Sequence, residues 1–484
     1  MPRLVTLLLL ASALCASAPA ATQPNIVFLF ADDQRYDTLS CAGHPIVRTP
    51  AIDRLAADGV RFRNAFVTTP VCWVSRAVIL TGQTARSHVM RNSMSTVQPR
   101  ALATMYPLPL RAAGYRTGYF GKWHLIAPPG FEPAKQYDRY EAITRNPYFK
   151  TLPDGTKRHE TDLVADRGVA FIQEQTKDKP FFLNLCFNAS HAEDNDRRPG
   201  IGHYPWPPSV DGLYEDVTIP PPRLGDPAIY ERHPDFLKES INRTRFFWSY
   251  DTPEKYQANV RAYFRMISGI DHAVSRVVAA LEAAGLAENT IIVYSADNGY
   301  YLGNRGFQGK WSHYEDSPRV PLVVYDPRLP KAQRGRVVDA MALNLDLPAT
   351  FLDWAGAEKP SVYEGRSLRP LVQETKAPSD WRRHFFCEHV DLPPTLTWEG
   401  IRGDRFVYAR YFDQSPAYEF LHDLQADPDQ LKNLATDPAH TAALKTMRDL
   451  CDAELKTRGG PLPPIAERGS RKAGKGKKGS DEKD

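Results

Sequence analysis

No stretch of this chain of 484 residues carries the roughly 20 consecutive apolar residues that a bilayer-spanning helix needs. Its longest apolar run, Leu4 to Leu14, is about half that length. A polytopic membrane protein is thereby excluded. With 42% hydrophobic and 24% charged residues, so are a coiled coil and a chain disordered throughout. An excess of one charge is missing too. Against 61 Lys and Arg stand 57 Asp and Glu, a net charge of +4. The segment from Arg468 to Asp484 holds that whole excess, so the remainder is close to neutral and the charge offers no argument for a nucleic-acid partner. Cysteine is scarce, with six residues (Cys15, Cys41, Cys72, Cys186, Cys387 and Cys451) at wide spacing. Neither a disulfide framework nor a CxxC metal site fits that pattern. It leaves room for one cysteine kept for its chemistry.

Met1-Pro2-Arg3, the apolar run after it and the small residues Ala18-Pro19-Ala20 read as a secretory signal over residues 1–20, and imply export to the periplasm or the medium. Leu14 ahead of Cys15 is bulkier than a lipid-attachment motif accepts, so stable membrane insertion is not expected.

Beyond the leader, strand and helix patterns alternate. Asn25 to Phe30 reads as a buried strand, and Thr49-Pro50 opens a helix with apolar positions at Ile52, Leu55 and Ala56 and a stop at Gly59. A helix is expected over about 161–175, a strand from Phe181 to Phe187, a long helix over 256–284, and strands at Ile291 to Tyr294 and Val320 to Tyr325. Such alternation indicates an α/β fold, a mostly parallel sheet covered on both faces, with ligands at the carboxyl ends of its strands. From about Trp381 to Leu434 short strands with turn signals suggest a small antiparallel layer. Between His191 and Tyr250 lies a Pro-rich, aromatic and charged stretch of poor periodicity, read as a long loop or a substrate-facing insertion. The Lys/Gly-rich end is expected to be disordered.

Two strand ends carry acids. Asp32-Asp33 follows the first strand, and Asp297-Asn298-Gly299 follows the strand of Ile291 to Tyr294. Each pair alone reads as a turn or cap; together, four oxygen ligands at neighbouring strand ends suit a hard divalent cation. Cys72 and Arg76 are four apart, one turn of a helix whose N-terminus favours an anion.

The run Cys72-Trp73-Val74-Ser75-Arg76, continuing through an apolar segment to Thr81-Gly82, resembles the signature of the formylglycine-dependent sulfatase family, Cys-x-Pro-Ser-Arg. Asp32-Asp33, Gly121-Lys122-Trp123-His124, Ser190-His191, Asp297-Asn298-Gly299, and Gly309-Lys310 leading to Tyr314-Glu315 extend the resemblance along most of the chain. It implies an alkaline phosphatase-like three-layer catalytic domain over 24–375, a C-terminal α+β subdomain over 376–460 and a basic tail over 461–484. It also implies one divalent metal, Ca²⁺ with Mg²⁺ as the alternative, held by Asp32, Asp33, Asp297, Asn298 and residue 72. In that family the cysteine becomes formylglycine, whose hydrate attacks the sulfur of a sulfate ester and then expels sulfate by restoring the aldehyde. By the same resemblance Arg76 and Lys122 would hold the hydrate and the sulfate, His124 would be the base of the second step, and His191 and Lys310 would sit at the leaving oxygen.

Val74 stands where the signature has proline. Conversion of Cys72 therefore requires a maturase that tolerates an apolar residue there. An unconverted chain would bind metal and sulfated ligand without turnover, and the same fold also serves phosphoric and phosphonic ester hydrolases. Export and the long polar insertion favour a sulfated carbohydrate, with Arg243, Arg245, Trp248, Arg305, Trp311 and His313 as candidates for sugar recognition. Asn188-Ala189-Ser190 and Asn242-Arg243-Thr244 match the glycosylation pattern.

Overall fold

The computed structural model describes residues 23–92, 95–391 and 395–462. The expected leader, and all but the first two residues of the expected tail, lie outside the described residues. The principal sheet contains, in chain order, β1 (Asn25–Ala31), β2 (Val60–Phe62), β3 (Arg116–Gly121), β4 (Arg139–Ala142), β5 (Phe181–Cys186), β6 (Thr290–Ala296), β7 (Leu322–Tyr325) and β8 (Arg336–Val338). Across the sheet they run β8-β2-β7-β6-β1-β5-β3-β4. Only β7 is antiparallel to its neighbours. The Val320 to Tyr325 strand thus begins two residues later than expected and runs against the rest.

Alternation along the central strands sends side chains to two helical layers. Phe28 and Phe182 face one side, where their rings lie 5.2 and 5.0 Å from that of Phe351 in α6 (Asp346–Ala355). On the other side, Phe181 meets Phe171 of α3 (Glu160–Gln173) at 5.9 Å. Ile26 through Phe30 are all buried, as a strand covered on both faces requires, at about 2 kcal/mol of transfer energy per large side chain. The long helix α5 (Pro253–Ala283) packs beside α3.

The helix opened by Pro50, α1 (Pro50–Ala57), begins as expected, but Thr49 does not cap it with its side chain. The carboxylate of Asp271, in α5, accepts from the backbone N–H groups of Ala51 and Ile52 at 3.2 and 2.8 Å instead, while the Thr49 hydroxyl donates to Asp53. The stretch from His191 to Tyr250 is mostly irregular, yet its last part forms α4 (Ile241–Ser249). A separate antiparallel sheet of β9 (His384–His389), β10 (Trp398–Gly403), β11 (Phe406–Tyr411) and β12 (Tyr418–Asp423) carries α7 (Thr441–Thr457) against one face.

Candidate active site

Register decides which side chains meet. Ala31 of β1 pairs with Ala296 of β6, so Asp32-Asp33 and Asp297-Asn298 leave the sheet side by side. On the other flank Gly121 of β3 pairs with Cys186 of β5, which delivers Lys122 to the same end. Gly121 has φ +112°, and a Cβ there would stand 1.9 Å from the Cys186 carbonyl oxygen, to which Lys122 N donates at 2.7 Å. Any other residue would push the two strand ends apart.

Above this end lies the N-terminus of α2 (Cys72–Thr81), with Cys72 as its first residue. Its first bond along the helix runs from Ser75 N to Val71 O at 2.9 Å, so the N–H groups of Cys72, Trp73 and Val74 have no carbonyl within the helix to receive them. Val74 is buried with Val71, Ala85 and Trp311. One turn on, Arg76 sends Nε and Nη2 to Asp297 Oδ2, each at 2.8 Å, and Nη1 to the Lys122 carbonyl at 3.0 Å. Lys122 forms an ion pair with Asp32 Oδ2, and Lys310 with Asp33 Oδ1. Lys310 Nζ also lies 4.0 Å from Cys72 Sγ. His124 sits beside the start of the helix, its ring edge-on to Trp73 at 5.5 Å.

Burial and mutual repulsion divide the three carboxylates. Burial and the charge of Asp32 push Asp297 up to about 8. Asp32 is buried as deeply, but Lys122, His191, Arg76 and Lys310 together hold it well below the ordinary carboxylate range. Three carboxylates are packed against three cations, and a divalent ion would add positive charge facing an anionic ester.

The donor set fits such an ion. Asp32 Oδ1 and Asn298 Oδ1 are buried oxygens with no hydrogen-bond partner among the described residues. They come from the two adjoining strand ends, as hard-cation ligands should. Asp32, Asp33 and His191 also offer ligand atoms within 4.8 Å of one another, a grouping that brings His191 closer to the acids than the sequence suggested. His191 Nε2 is 3.6 Å from Asp33 Oδ2, and Nδ1 is 2.8 Å from the Ala192 carbonyl, which can only accept.

Sequence reasoning missed the residues that hold His191 in place. Tyr148 donates to the carbonyls of Asn188 at 3.0 Å and His191 at 2.5 Å. Glu160, buried at the start of α3, accepts from Asn188 N at 2.6 Å and Asn188 Nδ2 at 2.9 Å. Arg145 donates to the Ala192 carbonyl at 3.2 Å. None belongs to a recognisable motif.

The six candidates for sugar recognition separate. Arg245, Trp248 and Trp311 gather near Lys310. Arg243 stacks on Tyr230 and donates to the Gly306 carbonyl at 3.0 Å. Arg305 and His313 are turned away: Arg305 is bound to the carbonyls of Asp429 and Gln430, and His313 sits between Tyr411 and His422. Both tie the segment after Asp297 to the C-terminal part of the chain. Asn188 and Asn242 are buried, so neither glycosylation pattern presents an acceptor at the surface of the folded chain.

A family model described as Sulfatase matches residues 24–357, and one described as N-sulphoglucosamine sulphohydrolase, C-terminal, matches residues 303–456. Among curated proteins, an N-acetylglucosamine-6-O-sulfatase of Bacteroides thetaiotaomicron is 29% identical over 517 aligned positions, covering 93% of this chain and 90% of that protein. A solved structure described as a complex with its substrate D-glucosamine-2-N,6-O-disulfate has a TM-score of 0.75 at 26% identity, covering 90% of this chain and 98% of its own. A phosphonate monoester hydrolase from Silicibacter pomeroyi has a TM-score of 0.75 at 25% identity, covering 90% of this chain and 96% of its own.

Proposed function

The chain belongs to the sulfatase family and is a sulfuric ester hydrolase, and on that premise we propose that it removes sulfate from a sulfated sugar, with residue 72 as the nucleophile. The observation that carries this reading is the convergence of Asp32, Asp33, Asp297, Arg76, Lys122 and Lys310 around Cys72 at a helix N-terminus. The sugar is supported by the relatives, one an N-acetylglucosamine-6-O-sulfatase and one described with the substrate D-glucosamine-2-N,6-O-disulfate.

Asp32, Asp33, Asp297 and Asn298 would hold the metal, Ca²⁺ by preference for an all-oxygen side-chain set, with residue 72 beside it. Bound there, the ion supplies positive charge against the ester oxygens and lowers the pKa of a hydroxyl on residue 72. That hydroxyl comes from conversion of Cys72 to formylglycine by a separate maturase. Arg76 steadies Asp297 and the Lys122 loop, and Lys122 presents its ammonium beside Asp32. Lys310 is buried, yet Asp33, Cys72, Asp32 and Asp297 together raise its pKa, so it stays charged at neutral pH next to the reacting centre. A buried ammonium there stabilises charge growing on the leaving oxygen. His191 lies across Asp33 from it, and His124, beside Trp73 at the helix start, would be the base in the second step at residue 72.

Export is part of this reading and rests on the basic start, apolar run and small residues of positions 1–20. Among the described residues no helix is long and apolar enough to cross a membrane. The phosphonate hydrolase neighbour makes phosphorus esters the second reading. Matured protein should be given the sulfate and phosphate monoesters of one alcohol, then glucosamine 6-O-sulfate. A higher kcat/KM on the sulfate and release of sulfate from the sugar are expected; a preference for the phosphate overturns the proposal.

A further inference from the structure

Beside the catalytic group lies a cluster that the hydrolysis of a single ester does not use. Asp194, in the insertion, receives Arg145 Nη2 at 3.3 Å and Arg245 Nη1 and Nη2 at 2.9 and 3.3 Å. It is the sole carboxylate within ion-pair distance of either guanidinium among the described residues. The next acid, Glu193, accepts from Asn195 N at 3.2 Å. Two guanidiniums therefore share one carboxylate in direct contact, with Glu193 and Asp33 acting on them only from further off. Arg145 is 6% exposed and Arg245 17%, and Arg245 Nε has no hydrogen-bond partner. Buried charge left unbalanced is costly unless a ligand completes the pairing.

The cluster has a definite side. Arg145 Nε donates to the same Ala192 carbonyl that faces His191 Nδ1. Arg245 lies 5.2 Å from the centre of the Trp311 ring, and Lys310 Nζ lies 5.5 Å from the same ring. The guanidiniums thus flank His191 and Lys310, the pair assigned to the leaving oxygen, and so adjoin the alcohol half of the ester. The Trp248 ring centre lies 4.9 Å from the Arg245 guanidinium and 3.6 Å from that of the exposed Arg197, so an aromatic ring joins the cationic cluster. Burial opposes the charge of Arg145, yet Asp194, with Tyr148, Asp32 and Cys72, raises its pKa, which ties it to the field of the catalytic centre.

We infer that Arg145 and Arg245, with Trp248, form a subsite for a second anionic group, sulfate or carboxylate, on the sugar whose sulfate ester is cleaved. The inference rests on the sulfatase reading and narrows it to multiply charged glycans. Guanidinium forks match the geometry of both anions, and Asp194 keeps the pair aligned and partly neutralised until the ligand arrives.

The test compares matured enzyme on glucosamine 6-O-sulfate, glucosamine 2-N,6-O-disulfate and a disaccharide of the monosulfated sugar with a uronic acid, alongside the same disaccharide with the uronate reduced. The subsite predicts a kcat/KM at least tenfold higher for a doubly charged substrate than for its matched partner, and the pair that shows it identifies the anion as sulfate or carboxylate. Arg245→Ala, and Arg245→Gln if the alanine variant folds poorly, should bring that ratio close to one. Asp194→Asn should keep or raise it, because it removes only negative charge; a fall matching that of Arg245→Ala overturns the inference by making the cluster merely structural. Equal turnover of all four sugars overturns the subsite and leaves the sulfatase reading standing, whereas matured enzyme that releases sulfate from nothing overturns both. Calorimetry on Cys72→Ala, where maturation plays no part, should show the same tenfold preference in Kd, and its absence also counts against the subsite.

Discussion

Lys310 Nζ stands 4.0 Å from Cys72 Sγ while holding Asp33 Oδ1, so one ammonium joins the nucleophile position to the proposed metal cage. Lys310→Ala should therefore act on chemistry. Its kcat should fall by about 10²–10⁴, with a much smaller change in KM, in line with the loss of a positioned charge or proton donor. Steady-state kinetics on an aryl sulfate checks this, and a rise in KM at constant kcat would reassign Lys310 to binding.

Residue 72 and the acids make a paired prediction. Cys72→Ala and Cys72→Ser should abolish turnover while leaving the metal in place. Asp297→Ala should lose the metal, because it takes away a carboxylate and leaves Arg76 buried without its ion pair. Bound-metal stoichiometry after gel filtration distinguishes them, and a full equivalent of metal in Asp297→Ala would contradict the ligand assignment. Chelation of the wild type should remove activity, and Ca²⁺ should restore it.

Val74→Pro restores the family signature at a position the fold tolerates. Val74 lies in the first turn of α2, where its N–H has no helical acceptor, so proline removes no helical hydrogen bond there. The cost in packing against Val71, Ala85 and Trp311 should stay within about 1–2 kcal/mol. The fraction of residue 72 carried as formylglycine should rise. Mass analysis of the tryptic peptide Asn64 to Arg76 reads it directly, and a lower fraction in the variant would count against the role given to position 74.

Glu160 supplies a pH dependence of stability. Burial pushes its carboxyl up to about 7, despite the Asn188 N–H groups that favour the charged form. The native state therefore holds a proton that the unfolded chain releases near its ordinary value, so this group's contribution is full at low pH and is lost as pH rises from about 4.5 through 7. Glu160→Gln keeps an acceptor for both Asn188 donors and cannot ionise. Urea denaturation at pH 5 and 7.5 should show the variant gaining on the wild type by about 1–3 kcal/mol at the higher pH. An unchanged difference would mean that Glu160 titrates normally.

Periodicity was enough for the outline of the fold. Continuous apolar runs marked β1, β5 and β6, because strands covered on both faces need no polar side, and long helical spacing marked α5 within a few residues. The direction of β7 escaped, since four apolar residues look alike whichever way they run. The cap of α1 escaped for a related reason: its acceptor, Asp271, lies over 200 residues further on.

Asp32, Asp33, Cys72, Arg76, Lys122, His124, His191, Asp297, Asn298 and Lys310 could be named from the sequence because short motifs hold them at strand ends and at one helix start. Family and reaction class followed from those motifs alone. Tertiary structure decided what surrounds them: that Arg145 and Arg245 share Asp194 beside His191, that Glu160 and Tyr148 brace the Asn188 to His191 loop, and that Arg305 and His313 serve the C-terminal part of the chain. The physical reason is register. Local patterns specify which element a residue joins, whereas its neighbours across the site depend on how strands far apart in the chain align, and no local pattern carries that alignment.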